Sequence, residues 1–299
     1  MPATLGHIGV QYLLSRGAIR NAGPKWILLG CILPDFPWIA QRLILALTDI
    51  SPIPMRLYAI GQSSLAFGFL LAAAVALVSC RPRQVFAILA LGVGMHLALD
   101  ATQIKWGNGV VLWAPIHWST TRFDLFWPED LPSLGLLGLG LAMAIWMLLR
   151  PHAEPGDLRW PRGRAGFGAA LCLVAYVLGP LATMPAVARA DLHFTATISR
   201  TETRVGRPIE IDRNKLVWTA GEARLSTWFG ETLFLTGSLP RTDGLLSLKG
   251  RFVAADRIHV TDHHVHPPGL RNWASMVGLA FVLFWWARVL WRLGRRVDL

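Results

Sequence analysis

Six stretches of this chain run apolar and almost free of charge for most of a bilayer's thickness: 26–41, 57–79, 84–99, 131–149, 165–188 and 272–287. A spanning helix needs about 20 such residues. In hydrocarbon the backbone must satisfy its own hydrogen bonds, so stretches of this kind are confined to helices. Two of them carry polar groups that do not belong there: Asp35 interrupts the first, and His96 with Asp100 closes the third. An ionised Asp near the bilayer centre costs roughly 2.5–3.5 kcal/mol on the mildest scale. Such residues call for a partner, and a metal ion is one.

Composition agrees with a membrane protein. Charged residues are 16% and hydrophobic ones 53% of the chain, with a mean hydropathy of +0.43; soluble domains average about 25% and 45–50%. The formal charge of +11 would suit a polyanion partner if it lay on one face. Instead the basic residues cluster beside helix ends, at Arg16/Arg20/Lys25, Arg81/Arg83, Arg150/Arg159/Arg162/Arg164 and Arg288/Arg292/Arg295/Arg296. That pattern reads as a topology signal, so no nucleic acid is expected. Arg42 and Arg56 fall in a loop that this scheme places outside, against the trend. Cys31, Cys80 and Cys172 offer neither a disulfide framework nor a cysteine metal site. The N-terminus lacks the basic region of a cleaved signal peptide.

The chain divides into four parts. Residues 1–150 form a membrane-embedded helical domain that opens with a short N-terminal helix, and 151–190 form a cytoplasmic loop and a membrane helix. Residues 191–268 change to alternating runs separated by turns, with strands predicted at 194–199, 208–212, 216–219, 223–227, 233–239, 245–252 and 257–265. This part predicts a small all-β barrel similar to an OB-fold. Residues 269–299 return through the membrane and end in a basic tail. The fold class is thus mainly α-helical integral membrane protein, with about six spans and an extracytoplasmic β-domain. The loop 105–130 is expected on the β-domain's side and the C-terminus in the cytoplasm.

His96 and Asp100 are four apart on a predicted helix and share a face, so imidazole and carboxylate can reach one divalent ion. Asp35 sits between Pro34 and Pro37, where the helix must break; the break either aims the carboxylate inward or leaves it as a helix cap. His7 shares a face with Gln11 and matters only in combination. His117, in the loop near these residues, is a candidate extra ligand or acid for a leaving group, or one more interfacial side chain. Lys105 fits a snorkelling lysine, and Trp106, Trp113, Trp118 and Trp127 fit an interfacial belt. Asp262-His-His-Val-His266 has the look of a metal tract but reads better as a polar edge strand. Gly135-Leu-Leu-Gly-Leu-Gly-Leu is a helix-packing run.

A histidine near the N-terminus, Leu-Pro-Asp35 after an apolar run, then His96-Leu-Ala-Leu-Asp100 and the tail Thr102-Gln-Ile-Lys-Trp-Gly-Asn-Gly-Val resemble the YdjM-type membrane-bound metal-dependent hydrolases. The resemblance covers roughly residues 4–128, and that family is similar in motif order to zinc-dependent phospholipase C and P1-type nucleases. It implies that His7, Asp35, His96 and Asp100 bind a divalent ion, with zinc expected, in a hydrolase of the bacterial inner membrane. Asp35 would then double as ligand and proton acceptor. Two departures stand out. Gly61-Gln62-Ser63-Ser64 replaces the family's Thr-His-Ser, and Phe36-Pro37 replaces a second acid, so one ion is expected rather than a cluster. The ligands' depth points to a phospholipid or another lipid-linked ester as substrate, and the β-domain could dock an envelope protein. The competing expectation is a non-catalytic membrane protein with a structural polar or metal cluster. A transporter is disfavoured, because the sequence shows no pair of inverted halves.

Overall fold

The computed structural model describes residues 3–150 and 157–297. It begins with α1 (Thr4–Ala18), α2 (Pro24–Gly30), α3 (Phe36–Leu47), α4 (Pro52–Gln62), α5 (Leu65–Ala76), α6 (Pro82–Thr102) and α7 (Leu131–Leu149). The long α8 (Gly163–Arg189) and short α9 (Thr195–Ser199) lead into five strands, after which α10 (Leu270–Val297) ends the described chain. Five segments are long and apolar enough to cross a membrane: Pro24–Leu47, Pro82–Thr102, Leu131–Leu149, Gly163–Arg189 and Leu270–Leu293. The predicted span at 57–79 is not one straight helix. Its α4 and α5 are bent by 74°, and only if the pair is one span does the count reach six. The polar Gln62-Ser63-Ser64 explains the break: Ser63 Oγ turns back to the Ile60 carbonyl at 3.2 Å, and Ser64 starts the new helix.

The first helix lies at the centre of the helical part, where glycines let its neighbours come close. A β-carbon on Gly140 of α7 would fall 1.9 Å from the Leu5 carbonyl oxygen, and one on Gly278 of α10 2.5 Å from the Leu5 nitrogen. Of the predicted packing run, Gly135 and Gly138 meet nothing within 4 Å, so Gly140 alone performs that role. Gly140→Ala therefore forces two backbones apart. Overpacking costs about 1–3 kcal/mol, so thermal unfolding in detergent should shift down clearly, whereas Gly138→Ala should leave it within error of wild type.

Helix α8 carries Pro180 and Pro185 in its interior. Proline at 180 removes the donor that would serve the carbonyl four residues back. Gln62 Nε2 fills that gap, donating to the Tyr176 carbonyl at 3.1 Å, and the Tyr58 hydroxyl donates to Val177 O at 2.9 Å. Far from this end, Lys25 is not a free basic residue at a helix end. It is buried and pairs with Asp157 at 2.6 Å, which also accepts from Trp26 Nε1 at 3.1 Å. Residues 151–156 of the expected loop, and 298–299 of the tail, lie outside the described residues.

The strands are β1 (Pro208–Thr219), β2 (Glu222–Ser226), β3 (Thr232–Gly237), β4 (Gly244–Ala254) and β5 (Arg257–His266). They pair in the order β1-β2-β3-β5-β4, and β4 pairs back onto β1, so the ladder forms a closed circuit. All pairings are antiparallel except β3 with β5. Alternating residues of the strands fill the interior, among them Ile209, Leu225, Leu233, Leu248 and Ile258. The predicted strands at 208–212 and 216–219 are one strand interrupted by a bulge, since the register with β4 shifts between Ile211 and Asn214. The predicted strand at 194–199 is helical instead. The Asp191 carboxylate accepts from the backbone of Ala196 at 2.7 Å and Thr197 at 2.9 Å, capping α9, and a carboxylate at that place favours a helix start.

Candidate metal centre and its cavity

The break predicted at Pro34 is real and does more than bend a span. After α2, residues Leu33–Asp35 form a single tight turn, with Asp35 N bonded to Ile32 O at 3.0 Å rather than to the Cys31 carbonyl one residue further back. The Cys31 carbonyl accepts instead from His96 Nδ1 at 2.7 Å. That bond puts a proton on Nδ1 and turns Nε2 toward the carboxylates. Asp35 begins α3 but makes no capping bond with its side chain. Its carboxylate lies inward, with Oδ1 3.3 Å from His96 Nε2. The turn closes the gap in depth that a straight helix would leave between Asp35 and Asp100.

Asp100, one turn along α6, has Oδ2 3.8 Å from His96 Nε2. Its Oδ1 lies 3.5 Å from His7 Nε2, and the His7 ring stacks on His96 with centroids 3.9 Å apart. His7 and His96 are fully buried, and Asp35 and Asp100 nearly so. The four predicted ligands are therefore brought together, from α1, the Leu33–Asp35 turn and α6. His7, His96 and Asp100 offer ligand atoms close enough to hold one metal ion.

The donor set fits such an ion. His7 Nε2, His96 Nε2, Asp35 Oδ1 and Asp100 Oδ1 are buried without a hydrogen-bond partner. His96 Nε2 faces two carboxylates, an arrangement that a metal ion, or a second proton on the ring, relieves. Leaving buried polar atoms unpaired costs about 1–3 kcal/mol apiece; His7, His96 and Asp100 lie close enough to share an ion, with Asp35 joined to the group through His96 Nε2 at 3.3 Å.

A cavity of about 570 Å³ opens beside the cluster, and Asp35, His96 and Asp100 line it. The β-domain forms its far wall. The bulge in β1 brings both Asp212 and Arg213 to this wall, re-aiming side chains as bulges do. Loop 103–130 approaches β1 so closely that a β-carbon on Gly107 would lie 2.3 Å from Glu210 O. There Gly107 N donates to Glu210 Oε2 at 2.9 Å, and Arg122 Nη1 donates to the same oxygen at 2.7 Å. Burial pushes the Glu210 carboxyl up, but Gly107 and Arg122 outweigh it and hold it below the ordinary range. The Asp212 carboxyl is likewise held down by Arg213 and Arg271 against the effect of burial.

Several side chains stand elsewhere than predicted. Lys105 does not snorkel; it is buried on the cavity wall, with Nζ 3.6 Å from Asp100 Oδ2. Arg42 and Arg56, the exceptions to the charge pattern, also line the cavity. Trp106 and Trp127 are not a lipid-facing belt, since they pack on each other and Trp127 stacks on His264 at 3.8 Å. His117 is exposed, bonded to Ser119 Oγ at 2.8 Å, and is not on the cavity wall. Gln62 is committed to Tyr58 and Tyr176, while Ser63 reaches the cavity. Glu129, His193 and His266 line it too; His266 belongs to the tract read as a polar edge strand, while Glu129 and His193 were unheralded because each sits far in sequence from the ligand motifs.

His193 stacks near Trp38 and bonds to Gly109 O at 2.9 Å through Nε2. Burial, with Arg56 adding to it, pushes its pKa from 6.5 down to about 3; Lys105 acts the same way and Asp212 opposes it. The folded protein thus keeps this imidazole neutral while the unfolded chain binds a proton below 6.5. Stability is whole above pH 6.5 and falls as the pH drops toward the folded value, by up to about 1.4 kcal/mol per pH unit for one proton. In thermal melts between pH 7 and 5, His193→Gln should show a shallower decline than wild type. Compared with protein-family models, curated proteins and solved structures, the chain gives no match.

Proposed function

We propose that the chain is a membrane-embedded, metal-dependent hydrolase acting on an anionic lipid ester, of the kind its YdjM-type motifs imply, with the β-domain as an OB-like barrel roofing the site on the extracytoplasmic face of a bacterial inner membrane. The observation that carries this reading is the meeting of buried ligand atoms of His7, His96 and Asp100, with Asp35 against His96, beside a cavity that Asp35, His96 and Asp100 line. A closed, dry cluster would favour the structural alternative; ligands that line a cavity favour access by a substrate.

When bound, a divalent ion such as zinc would acidify a water and polarise the ester. The chain's own residues do the rest. His96 is held in place by Cys31 O. Asp35, unused as a helix cap, is placed to take a proton from a water at the cavity floor. Five acids (Asp35, Asp100, Glu129, Glu210, Asp212) and five bases (Arg42, Arg56, Lys105, Arg213, Arg271) share the wall. Those charges balance, so a divalent ion would leave the cavity net positive, which favours an anionic ester. Leu97, Leu134, Leu136 and Leu137 supply an apolar flank for an acyl chain. This combination supports an amphiphile over a soluble metabolite.

The test is turnover by detergent-solubilised protein, stripped with chelator and reloaded with zinc or manganese, on phospholipid and on soluble phosphoester substrates. Metal-restored release from the lipid supports the proposal. No metal-dependent turnover on any of them, with metal retained, would transfer the cluster to the structural alternative.

A further inference from the structure

β5 pairs with β4 as far as His266 but with β3 only over Arg257–Val260, so His264 and His266 lie where the strand has a partner on one side alone, as the edge reading expects. Two residues apart on one strand, they point to one face. There they meet Glu129, which precedes α7 and is 135 residues from His264 in sequence. His264 Nε2 lies 2.5 Å and His266 Nδ1 2.9 Å from the same oxygen, Glu129 Oε1. Trp127 stacks flat on His264 and meets His266 edge-on at 5.4 Å, so both rings are held in place.

The ligand atoms of Glu129, His264 and His266 lie close enough together to hold one ion. Ser247 Oγ donates to Asp212 Oδ1 at 3.1 Å and lies 2.7 Å from His266 Nε2. A hydroxyl has one proton. With that proton on Asp212, His266 donates from Nε2, and its Nδ1 turns a lone pair toward the Glu129 carboxylate, where an ion would find it. Arg213 donates from Nε to His266 Nδ1 at 3.4 Å and pairs through Nη2 with Glu129 Oε2 at 3.7 Å, both long contacts. One ion bound to all three ligand atoms satisfies the lone pair, the carboxylate and His264 together.

We propose that Glu129, His264 and His266 form a second metal site, for a zinc-class ion, that clips the β-domain to the loop before α7. Two imidazoles and a carboxylate suit such an ion. Glu129 and His266 both line the cavity, so the clip fixes the wall opposite the helical cluster. Closing so long a stretch of chain is where a metal clip stabilises most. The site is separate from the helical ligands and stands or falls on its own.

The experiment counts zinc in the detergent-solubilised full chain by elemental analysis, after chelation, reloading with zinc and dialysis. Wild type should hold two equivalents, and His264→Ala and Glu129→Gln one each. Asp100→Ala should also hold one, and Asp100→Ala with His264→Ala none. If the helical cluster binds nothing, Asp100→Ala matches wild type while His264→Ala still loses one equivalent, so the two failures differ. Hydrogen exchange gives a readout that does not depend on counting. Zinc should protect 127–130 and 262–266 in wild type and in Asp100→Ala, but not in Glu129→Gln, which keeps the side chain's size. Unchanged zinc content in both His264→Ala and Glu129→Gln, or zinc-independent exchange at those segments, overturns the proposal.

Discussion

Asp100→Ala protein is expected to lose the metal of the helical cluster and, with it, at least ~100-fold in turnover, since even outer-shell partners of metal ligands are worth 10–100-fold. Asp100 meets His7, His96 and Lys105 at once, and His96 in turn meets Asp35, Asp100 and His7. His96→Ala should match it. Asp35→Asn should separate two roles: it keeps the shape of the turn but removes the charge and the proton acceptor, so turnover should fall further than metal content. The check is metal analysis and initial rates on the same preparations, with the thermal transition recorded to confirm folding. Retained turnover in Asp100→Ala would remove the cluster from the chemistry. Gln62→His, which restores the residue type expected at that position, should not raise activity. It would sever the bond to Tyr176 O without bringing a ligand to the cluster.

The second large effect concerns stability of the β-domain. Arg204 is 1% exposed and its guanidinium donates to Glu231 through both terminal nitrogens, with Nη1 to Oε2 at 2.9 Å. It also donates to the carbonyls of Ala255 and of Ile198, the latter at 3.2 Å, so one buried cation joins α9, the β2–β3 turn and the β4–β5 turn. Removing the partner of a buried charge costs about 3–5 kcal/mol; with Glu231 a quarter exposed, the lower end applies. Glu231→Ala should therefore cost about 3 kcal/mol in denaturant unfolding of the β-domain, followed by the fluorescence of Trp218 and Trp228. Arg204→Met with Glu231→Leu should recover much of that loss, because an apolar pair leaves no buried charge behind. A single Glu231→Ala that unfolds like wild type would mean that water already serves Arg204.

The parts of this molecule that were legible in its sequence are those written in local pattern. Apolar length located the membrane-crossing candidates, and the Pro34–Pro37 run marked a break that does aim Asp35 inward. The i, i+4 spacing put His96 and Asp100 on one face. Local pattern is blind to two kinds of feature. Short breaks vanish in an apolar average, so the 74° bend at Ser63-Ser64 read as a continuous span, and a one-residue bulge made β1 look like two strands. Partners far apart in sequence leave no local trace either. Lys25 finds Asp157, Glu129 finds His264 and His266, and Arg42 and Arg56 find a cavity wall only because the chain folds back. For Arg56 the misfit with the charge pattern was the available signal. A cation on the wrong side of a topology scheme is a cation with other business.

The central claim is that His7 and His96 share an ion with the carboxylates of Asp35 and Asp100. X-ray absorption at the cobalt edge tests it most directly, using protein reloaded with cobalt(II) and carrying His264→Ala so that only the helical cluster is loaded. The account predicts a shell of nitrogen and oxygen at about 2.0–2.2 Å, the range for such ligands on a zinc-class ion, with outer-shell scattering from two imidazoles. Adding His7→Ala should reduce that scattering to one imidazole. A first shell unchanged by His7→Ala and by His96→Ala, or no bound cobalt at all, would contradict it.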